Sequence, residues 1–404
     1  DVLAPRFKAL LLFAEQRFYG ASLPFGNQSF QPENLGVLSV EQVLADYAHL
    51  LTSLKATLNA TQSKVVTFGG SFGGTLSTLF RVKYPHIVVG ALAASAPIGY
   101  YSSVSWAERG VDEYTWFRTV ERVYTEARAG CYATLVKAVR LANATARSEG
   151  ARVAKAFGLC SPPEDVDAFV FWITEALESM PQGDYQDAGS PVNATCAAVR
   201  SELAGDALLA ALGKVTRGYY GGAACSSGPV CSSAYLEYAP AIPGKCTPQD
   251  LARNAQVGGG VPGDGPAPSS SWGYQSCTEV LHKFSTPPGA WREYSFSLPA
   301  VTKLCERYYK TTPDTDWLNV WGGGYAISEP SSGHSNIIWS NGRRDPWHGG
   351  GFLRASDALP GGAVFVMEHT AHHQDLRAPS ASDPPELTRV RAQEEKVIRG
   401  WLGL

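Results

Sequence analysis

The sequence lacks a strong excess of charge of either sign, and it lacks any long apolar run. Its 404 residues include 34 lysines and arginines against 37 aspartates and glutamates, which gives a net charge of −3. This balance provides no electrostatic reason to expect nucleic acid or an anionic membrane as a partner. Because no apolar run approaches the roughly 18 residues of a membrane-spanning helix, none is predicted. The composition, 44% hydrophobic and 18% charged, is that of an ordinary globular protein.

Cysteine is absent before residue 131 and after residue 305. An even number of cysteines confined to one region favours disulfides and an oxidising compartment over free thiols. A zinc site would need paired short spacings, which Cys225 and Cys231 fit poorly, so we predict no metal and no cofactor. The sequence does not determine the pairing. The predicted disulfide cysteines are Cys131, Cys160, Cys196, Cys225, Cys231, Cys246, Cys277 and Cys305.

Four Asn-x-Ser/Thr sequons point in the same direction. They are a mild excess over chance and favour a secretory or lysosomal route. The predicted glycosylation sites are Asn27, Asn59, Asn143 and Asn193.

Glycine is abundant, and one glycine-rich run surrounds a serine. Ser71 is the centre of residues 69–74, Gly-Gly-Ser-Phe-Gly-Gly, which follow the apolar run 64–68 and precede a segment, 74–84, with helical spacing. Gly-x-Ser-x-Gly between a strand and a helix is typical of a nucleophile elbow, where small neighbours tolerate a strained, closely approached chain. We predict Ser71 as a nucleophile and the backbone N–H of Phe72 as an oxyanion donor.

A nucleophilic serine needs a base, and the base needs an orienting carboxylate. In α/β-hydrolases the acid and then the histidine follow the serine along the chain. The predicted strand 335–340 runs into a turn that contains Asp345, which makes Asp345 the candidate acid. Asp357 is a competitor, but it lies in a connection and not at a strand end.

Three histidines compete for the role of base. His369, His372 and His373 all lie in the loop after the predicted strand 363–367, and position alone does not choose between them. The adjacent pair could also begin a weak metal site, but no second cluster with ligand spacing accompanies it. The sequence therefore predicts a Ser-His-Asp arrangement with His372 as the candidate base.

The secondary-structure pattern changes twice along the chain. Residues 1–105 alternate strand and helix, which implies a parallel sheet. We predict three segments: 1–105 and 311–404 as two parts of one α/β domain, and 106–310 as a helical insertion. The individual predictions are a strand at 8–13, an N-cap at Ser39 with Gln42, helices near 112–128, 131–148, 165–179 and 196–213, a Gly-, Pro- and Ser-rich loop at 257–271, and a closing amphipathic helix at 387–402.

Eight segments together resemble one family, the lysosomal Pro-Xaa carboxypeptidase and type-two dipeptidyl peptidase family of serine exopeptidases. Several of the segments are long and specific, and together they cover most of the chain. The segments are 13–26 (FAEQRFYGASLPFG), 69–74 (GGSFGG), 83–86 (KYPH), 91–97 (ALAASAP), 272–279 (WGYQSCTE), 340–342 (SNG), 345–347 (DPW) and 371–377 (AHHQDLR).

The resemblance implies an α/β-hydrolase fold with a disulfide-stapled helical cap inserted before the acid. It implies Ser71 as nucleophile, Asp345 as acid and His372, the first of the histidine pair, as base. Because members of the family cut next to proline, the implied partners are peptides with proline near one terminus. A lysosomal, vesicular or secreted location follows from the resemblance, and a homodimer is left open.

The sequence departs from the family pattern at its start. Members of the family carry a long segment before the residues that match 13–26, with the first strands of the sheet and a Gly-Asn-Glu-Gly-like turn that gives a second oxyanion N–H. The sequence given begins at Asp1, so we expect these strands and this donor to be missing from it. Loss of one such donor costs about 100- to 1000-fold in rate.

The substrate pocket and the direction of cleavage are less determined. Trp272, Tyr274 and Trp347 could form an apolar slot for a proline ring, or they could equally be ordinary core residues. The carboxypeptidase direction is slightly favoured over the dipeptidyl peptidase direction. Two alternatives stay open: an esterase on the same fold, and a catalytically impaired, truncated homologue that acts as a binding protein.

Overall fold

The computed structural model describes residues 2–159, 162–186, 189–221 and 271–404. Within these ranges the protein is an α/β structure with a parallel sheet. Four of the predicted disulfide cysteines, Cys160, Cys225, Cys231 and Cys246, lie outside the described residues, as do residues 257–270 of the predicted loop. No helix in these ranges is long and apolar enough to cross a membrane.

The chain divides into two compact units. The first falls within Asp1–Asp112, Gly265–Lys283 and Phe296–Leu404 and contains the sheet. The second falls within Glu113–Asp264 and Phe284–Ser295, and its described part is helical. The predicted boundaries near residues 105 and 310 stay a prediction.

The helices and strands have the following bounds. The first unit begins with α1 (Leu3–Phe7), α2 (Val40–Thr57), β1 (Val66–Gly70), α3 (Phe72–Lys83), β2 (Gly90–Ala94) and α4 (Trp106–Arg109). The second unit contains α5 (Thr115–Ala127), α6 (Cys131–Ser148), α7 (Gly150–Phe157), α8 (Val166–Ser179), α9 (Pro191–Ala198) and α10 (Gly205–Gly221). The first unit continues with α11 (Ser271–Thr278), α12 (Leu298–Tyr309), β3 (Ile337–Gly342), β4 (Ala363–Met367) and α13 (Pro385–Leu402).

The described strands form one parallel sheet in the order β1-β2-β3-β4. The register starts with Val66 opposite Gly90, Ala91 opposite Ile337, and Ile338 opposite Ala363. Every residue of β2 and β3 is buried, as expected where helices cover both faces of a parallel sheet. Because parallel strands end at one edge, the segments that follow β1, β3 and β4 lie at the same edge, where the sites of open α/β sheets form.

Helix α13 packs against β2 and β4 through its apolar face. Ile398 and Trp401 are buried against Leu92 and Ile338, and Leu387 packs near Met367 at the other end of the helix. Burial of a side chain such as Ile398, which has no exposed surface, contributes about 1.5–3 kcal/mol. The predicted closing amphipathic helix is therefore confirmed, with a start at Pro385.

Several local predictions are confirmed. Ser39 caps α2, since its side-chain oxygen accepts the N–H of Gln42 at 3.3 Å. The helices predicted near 131–148 and 165–179 match α6 and α8, and the strand predicted at 363–367 matches β4. The strand predicted at 335–340 lies at Ile337–Gly342, two residues later. It extends through its polar end because Ser340 and Asn341 pair with β4.

Two predictions are wrong. Residues 8–13 form no strand: among the described residues no neighbour pairs with this run, whose apolar side chains at Leu10–Phe13 are exposed. A strand needs such a neighbour for its backbone N–H and C=O groups. The single helix predicted at 196–213 is two helices: α9 ends at Ala198, because Val199 has a ψ of 85°, which an α-helix does not continue through, and α10 begins at Gly205.

Two of the predicted disulfides are present in the described residues. Cys131 at the start of α6 bonds Cys196 of α9 in the second unit. Cys277 of α11 bonds Cys305 of α12 in the first unit, inside an apolar cluster that also contains Phe18 and Tyr309. Both bonds are buried, which makes them structural crosslinks.

Candidate active site

The serine predicted as nucleophile lies on a strained turn. Ser71 connects β1 to α3 with φ 59° and ψ −128°, a conformation that costs a non-glycine residue about 1–3 kcal/mol. Two backbone hydrogen bonds fix it: its N–H donates to the carbonyl of Ala94 at 2.9 Å, and its carbonyl accepts from Thr75 at 3.1 Å. The surrounding fold thus holds a serine in a backbone geometry that it would not adopt alone.

Two glycines allow this turn to close. A Cβ atom on Gly69 would lie 2.0 Å from the carbonyl oxygen of Gly73, and one on Gly70 would lie 2.8 Å from the ring of His373. A side chain at either position would displace the neighbouring backbone or the histidine loop. A Cβ atom on Gly73 would meet no other atom within 4 Å, so space for a side chain exists there although the Gly-x-Ser-x-Gly pattern predicts a need for glycine.

Asp345 and His372 are in direct contact. His372 Nδ1 lies 2.7 Å from Asp345 Oδ2, and both side chains are buried. Asp345 also accepts the N–H of Trp347 at 2.9 Å, at the start of a short helical turn. Burial opposes ionisation of Asp345, but the charge and hydrogen bond of His372 and the N–H of Trp347 outweigh it and hold its pKa below the ordinary value. Asp345 is therefore a carboxylate, and it holds the imidazole of His372 through Nδ1.

The competing acid and bases have other partners. Asp357 forms an ion pair with Arg109 at 2.6 Å and accepts the N–H groups of Leu353 and Arg354, so it closes a turn. His369 is 74% exposed and lies beside Glu386. His373 packs against the elbow at Gly70, and burial lowers its pKa to about 4.

Comparison with known protein families agrees with this geometry. The family described as "Serine carboxypeptidase S28" matches residues 2–394 of the chain. The chain belongs to this family. It is therefore a serine-type peptidase, a hydrolase, and the resemblance drawn from the eight sequence segments is confirmed.

Curated relatives span nearly the whole chain. Human lysosomal Pro-X carboxypeptidase is 31% identical over 417 residues, which cover 99% of this chain and 76% of that protein. Prolyl carboxy peptidase like protein 5 of Caenorhabditis elegans is 32% identical, covering 99% of this chain and 78% of that protein. The thymus-specific serine protease of Mus musculus is 28% identical, covering 99% and 76%.

The loop that carries His372 in this S28 peptidase is fastened to the ends of two strands. The backbone N–H of His373 donates to the hydroxyl of Ser95, after β2, at 2.8 Å. The hydroxyl of Ser340 in β3 donates to Asp375 at 2.5 Å. Sequence reasoning missed these roles of Ser95, Ser340 and Asp375, although all three lie in the matched segments, and polar residues at buried strand ends were the available signal.

The aromatic residues predicted for the pocket separate into two places. The ring of Trp272 lies 5.1 Å from that of Phe72, and the ring of Trp347 lies 6.5 Å from that of His372. Tyr274 packs instead against Tyr309, in the cluster around the Cys277–Cys305 bond. Two of the three thus flank predicted site residues.

His282 is a further half-buried residue beside the site that sequence reasoning missed. Its ring lies 5.1 Å from that of Trp347 and 5.2 Å from that of Tyr101. Burial lowers its pKa to about 3, so it is neutral. It supports the Trp347 side of the site without adding charge.

The remaining site predictions concern donors, glycans and metals. The N–H of Phe72 is at the first position of α3, where helical N–H groups have no intrahelical acceptor. The sequon asparagines Asn27, Asn59 and Asn193 are exposed, whereas Asn143 is half-buried, and glycosylation stays a prediction. Within the described ranges, no cluster of three or more His, Cys, Asp or Glu could hold a metal ion.

Proposed function

We propose that this chain is an exopeptidase with an α/β-hydrolase fold that cleaves peptide bonds next to proline through an acyl-enzyme. The observation that carries the proposal is the 2.7 Å contact between the buried Asp345 and His372, combined with Ser71 on a strained strand-to-helix turn. An imidazole held by a buried carboxylate and a serine on a nucleophile elbow are two of the parts that nucleophilic serine catalysis requires.

Each residue has a defined role in the proposed reaction. Ser71 Oγ attacks the scissile carbonyl carbon while His372 Nε2 takes the hydroxyl proton. Asp345 stays ionised and stabilises the imidazolium, and the N–H of Phe72 donates to the oxyanion. His372 then gives its proton to the leaving amine, which leaves an ester on Ser71. Water hydrolyses the ester by the reverse sequence and restores the hydroxyl.

The preference for proline is supported by the aromatic residues beside these groups. Trp272 flanks Phe72, and Trp347 flanks His372, so an apolar ring bound between them would place its carbonyl near Ser71. The packing of Tyr274 against Tyr309 does not support a role for Tyr274 in this slot.

The direction of cleavage and the location of the protein are proposed from its relatives. The human relative at 31% identity is named a lysosomal Pro-X carboxypeptidase, which supports the carboxypeptidase direction and a lysosomal location. The two buried disulfides support an oxidising route to that location.

Fluorophosphonate labelling with peptide mapping tests the nucleophile. We expect labelling at Ser71, loss of labelling in Ser71→Ala, and unchanged labelling in Ser63→Ala, which removes an exposed hydroxyl eight residues away. Labelling of Ser71→Ala at the wild-type rate would contradict the proposed nucleophile.

A peptide panel then tests the substrate class. An N-terminally blocked peptide that ends in Pro-Xaa should release Xaa, whereas a free-amino Xaa-Pro peptide should be cut much more slowly. Hydrolysis of simple esters without hydrolysis of either peptide would contradict the exopeptidase proposal and would favour an esterase.

A further inference from the structure

Two buried carboxyl groups near the site have no role in the proposed reaction. Asp375 lies three residues after His372, in a short helical turn, and is 7% exposed. Glu394 lies in the middle of α13 and is 3% exposed. It occupies the buried face of α13, between Val390 and Ile398, where the helical period would place an apolar residue.

Helix α13 packs against the short turn that contains Asp375, and the electrostatics of the buried pair include a side-chain hydrogen bond between the Asp375 and Glu394 carboxyl groups. Two carboxylates cannot form this bond, because an ionised carboxyl only accepts, so one member must carry a proton. No donor among the described residues reaches Glu394 Oε1, so this oxygen lacks the hydrogen bond that a buried charge needs. Burial, and then the charge of Asp375, raises the pKa of Glu394 to about 9, and burial also raises the pKa of Asp375.

The nearby arginine holds the loop backbone. Arg391 donates to the carbonyl oxygens of Asp375, Gln374 and Arg377 at 2.9, 2.8 and 3.0 Å, and its Nη1 pairs with Asp383 at 2.5 Å. Its charge lowers the pKa of both carboxyl groups, but burial outweighs it.

The other ionisable groups belong to the elements packed against the pair. They are His372, His373 and Arg377 on the loop, together with Asp383 before α13, while β3 contributes the neutral hydroxyl of Ser340.

We propose that Asp375 and Glu394 share one proton, and that this proton holds the loop of His372 against α13. The proposal rests on the proposed role of His372 as base. In acidic and neutral solution the shared proton joins α13 to the loop, while Ser340 joins the same Asp375 to β3. When the proton leaves to solvent, two buried carboxylates face each other and repel. Asp375 and Glu394 are thus positioning residues that act through His372.

The two pKa directions set the pH range of the effect. Both carboxyl groups have pKa values above their ordinary values in the folded protein, so the protonated pair is stabilising at low pH. That stability declines as the pH rises above the ordinary glutamate pKa and is lost as it passes about 9. The loop is therefore firm under acidic conditions and loosens in alkaline solution.

The test measures the thermal midpoint and kcat as functions of pH in Glu394→Gln and a neighbouring control. The glutamine keeps an N–H donor for Asp375 and cannot ionise. Glu395→Gln is the matched control, because Glu395 forms ion pairs with Arg6 and Arg399 and its pKa is lowered, chiefly by the hydrogen bond from Arg399.

We expect the wild type to lose thermal stability and kcat toward alkaline pH, and Glu394→Gln to lose much less of both, with a kcat advantage of about tenfold over the control at about pH 9. Glu395→Gln should retain the wild-type alkaline loss. Equal alkaline losses in wild type and Glu394→Gln would overturn the proposal.

The thermal readout separates this proposal from the proposed function. A flattened stability profile in a protein that hydrolyses no peptide would support the shared proton and would contradict the proposed function alone. An active Glu394→Gln with an unchanged stability profile would overturn the shared proton alone. Should Glu394→Gln not fold, Asp375→Asn removes the same titration, keeps an oxygen for Ser340, and carries the same predictions.

Discussion

Asp345 and Asp375 are two buried aspartates at the same edge of the sheet, and their pKa values move in opposite directions. Asp345 follows β3, and Asp375 follows β4. Burial acts on both in the same sense, since it opposes the charged form. In Asp345 the imidazole of His372 and the N–H of Trp347 outweigh burial, and the pKa falls. In Asp375 the hydrogen bond from the hydroxyl of Ser340 does not outweigh burial, and the pKa rises.

The comparison shows that the partner, and not the depth of burial, decides the charge state. A carboxyl that accepts a hydrogen bond from a donor such as the imidazole of His372 is ionised. A carboxyl beside a second carboxyl such as Glu394 needs one proton between the two. His372 lies between these environments in sequence. It bonds Asp345 directly, and its loop is held by the Asp375–Glu394 pair.

The largest predicted effect separates Asp345 from its competitor Asp357. Asp345→Asn should lower kcat by about 10⁴-fold, because an amide neither holds the productive tautomer nor stabilises the imidazolium. Steady-state hydrolysis of a blocked Pro-Xaa peptide measures it. Asp357→Asn is the control and should lower kcat by less than about tenfold, because Asp357 pairs with Arg109. An equal loss in both variants would show that the acid is misassigned.

An intermediate effect is expected at Ser95, which holds the loop from the β2 side. Ser95→Ala removes the acceptor of the His373 N–H, and a buried donor left unsatisfied costs about 1–3 kcal/mol. Urea unfolding should show this loss, and kcat should fall by about tenfold because the loop is less firmly held. Ser95→Thr keeps the hydroxyl and is the comparison variant. A kcat unchanged in Ser95→Ala would mean that the Asp375 side positions the loop without help from Ser95.

The smallest effect concerns a carboxyl in another part of the first unit. Glu279 accepts the N–H of Val40 at 2.7 Å and an N–H of Gln275 at 3.2 Å. Burial, with a contribution from the neighbouring Glu41, raises the pKa of Glu279 to about 8. Since the folded pKa lies above the ordinary one, Glu279 stabilises the protein most below the ordinary pKa, and this contribution is lost as the pH rises through about 8.

Glu279→Gln should therefore reduce the fall in thermal midpoint between about pH 5 and about pH 8 by a few degrees. Glu15→Gln is the control, because the exposed Glu15 has a lowered pKa, chiefly through its hydrogen bond from Ser22. A steeper fall in Glu279→Gln than in wild type would show that Glu279 is ionised in the folded protein.

The elements that could be predicted from the sequence are those whose signals are local. Ser39 and its bond to Gln42, the glycines around Ser71, and the turn at Asp345 after β3 are all set by neighbours a few residues apart. The same holds for the apolar period of α13. The family resemblance, carried by eight segments, added the choice of His372 over its neighbours.

What sequence reasoning missed depends on contacts between distant segments. Glu394 lies on the apolar period of α13, but glutamate is rarely buried without a partner, and the carboxyl beside it, Asp375, belongs to another segment. The end of α9 depends on the backbone of Val199, whose ψ of 85° lies outside the helical range. Residues 8–13 have an apolar pattern, but a strand also needs a partner, which a local pattern does not contain.

Isotope-edited infrared difference spectroscopy tests the contrast between the two carboxyl environments most directly. In the folded protein at about pH 7, with aspartate and glutamate carboxyl carbons labelled, the wild-type minus Glu394→Gln difference should contain a protonated carboxyl band. The wild-type minus Asp345→Asn difference should contain an ionised carboxylate band. An ionised carboxylate band without a protonated one in the Glu394 difference, or a protonated carboxyl in the Asp345 difference, would contradict the account.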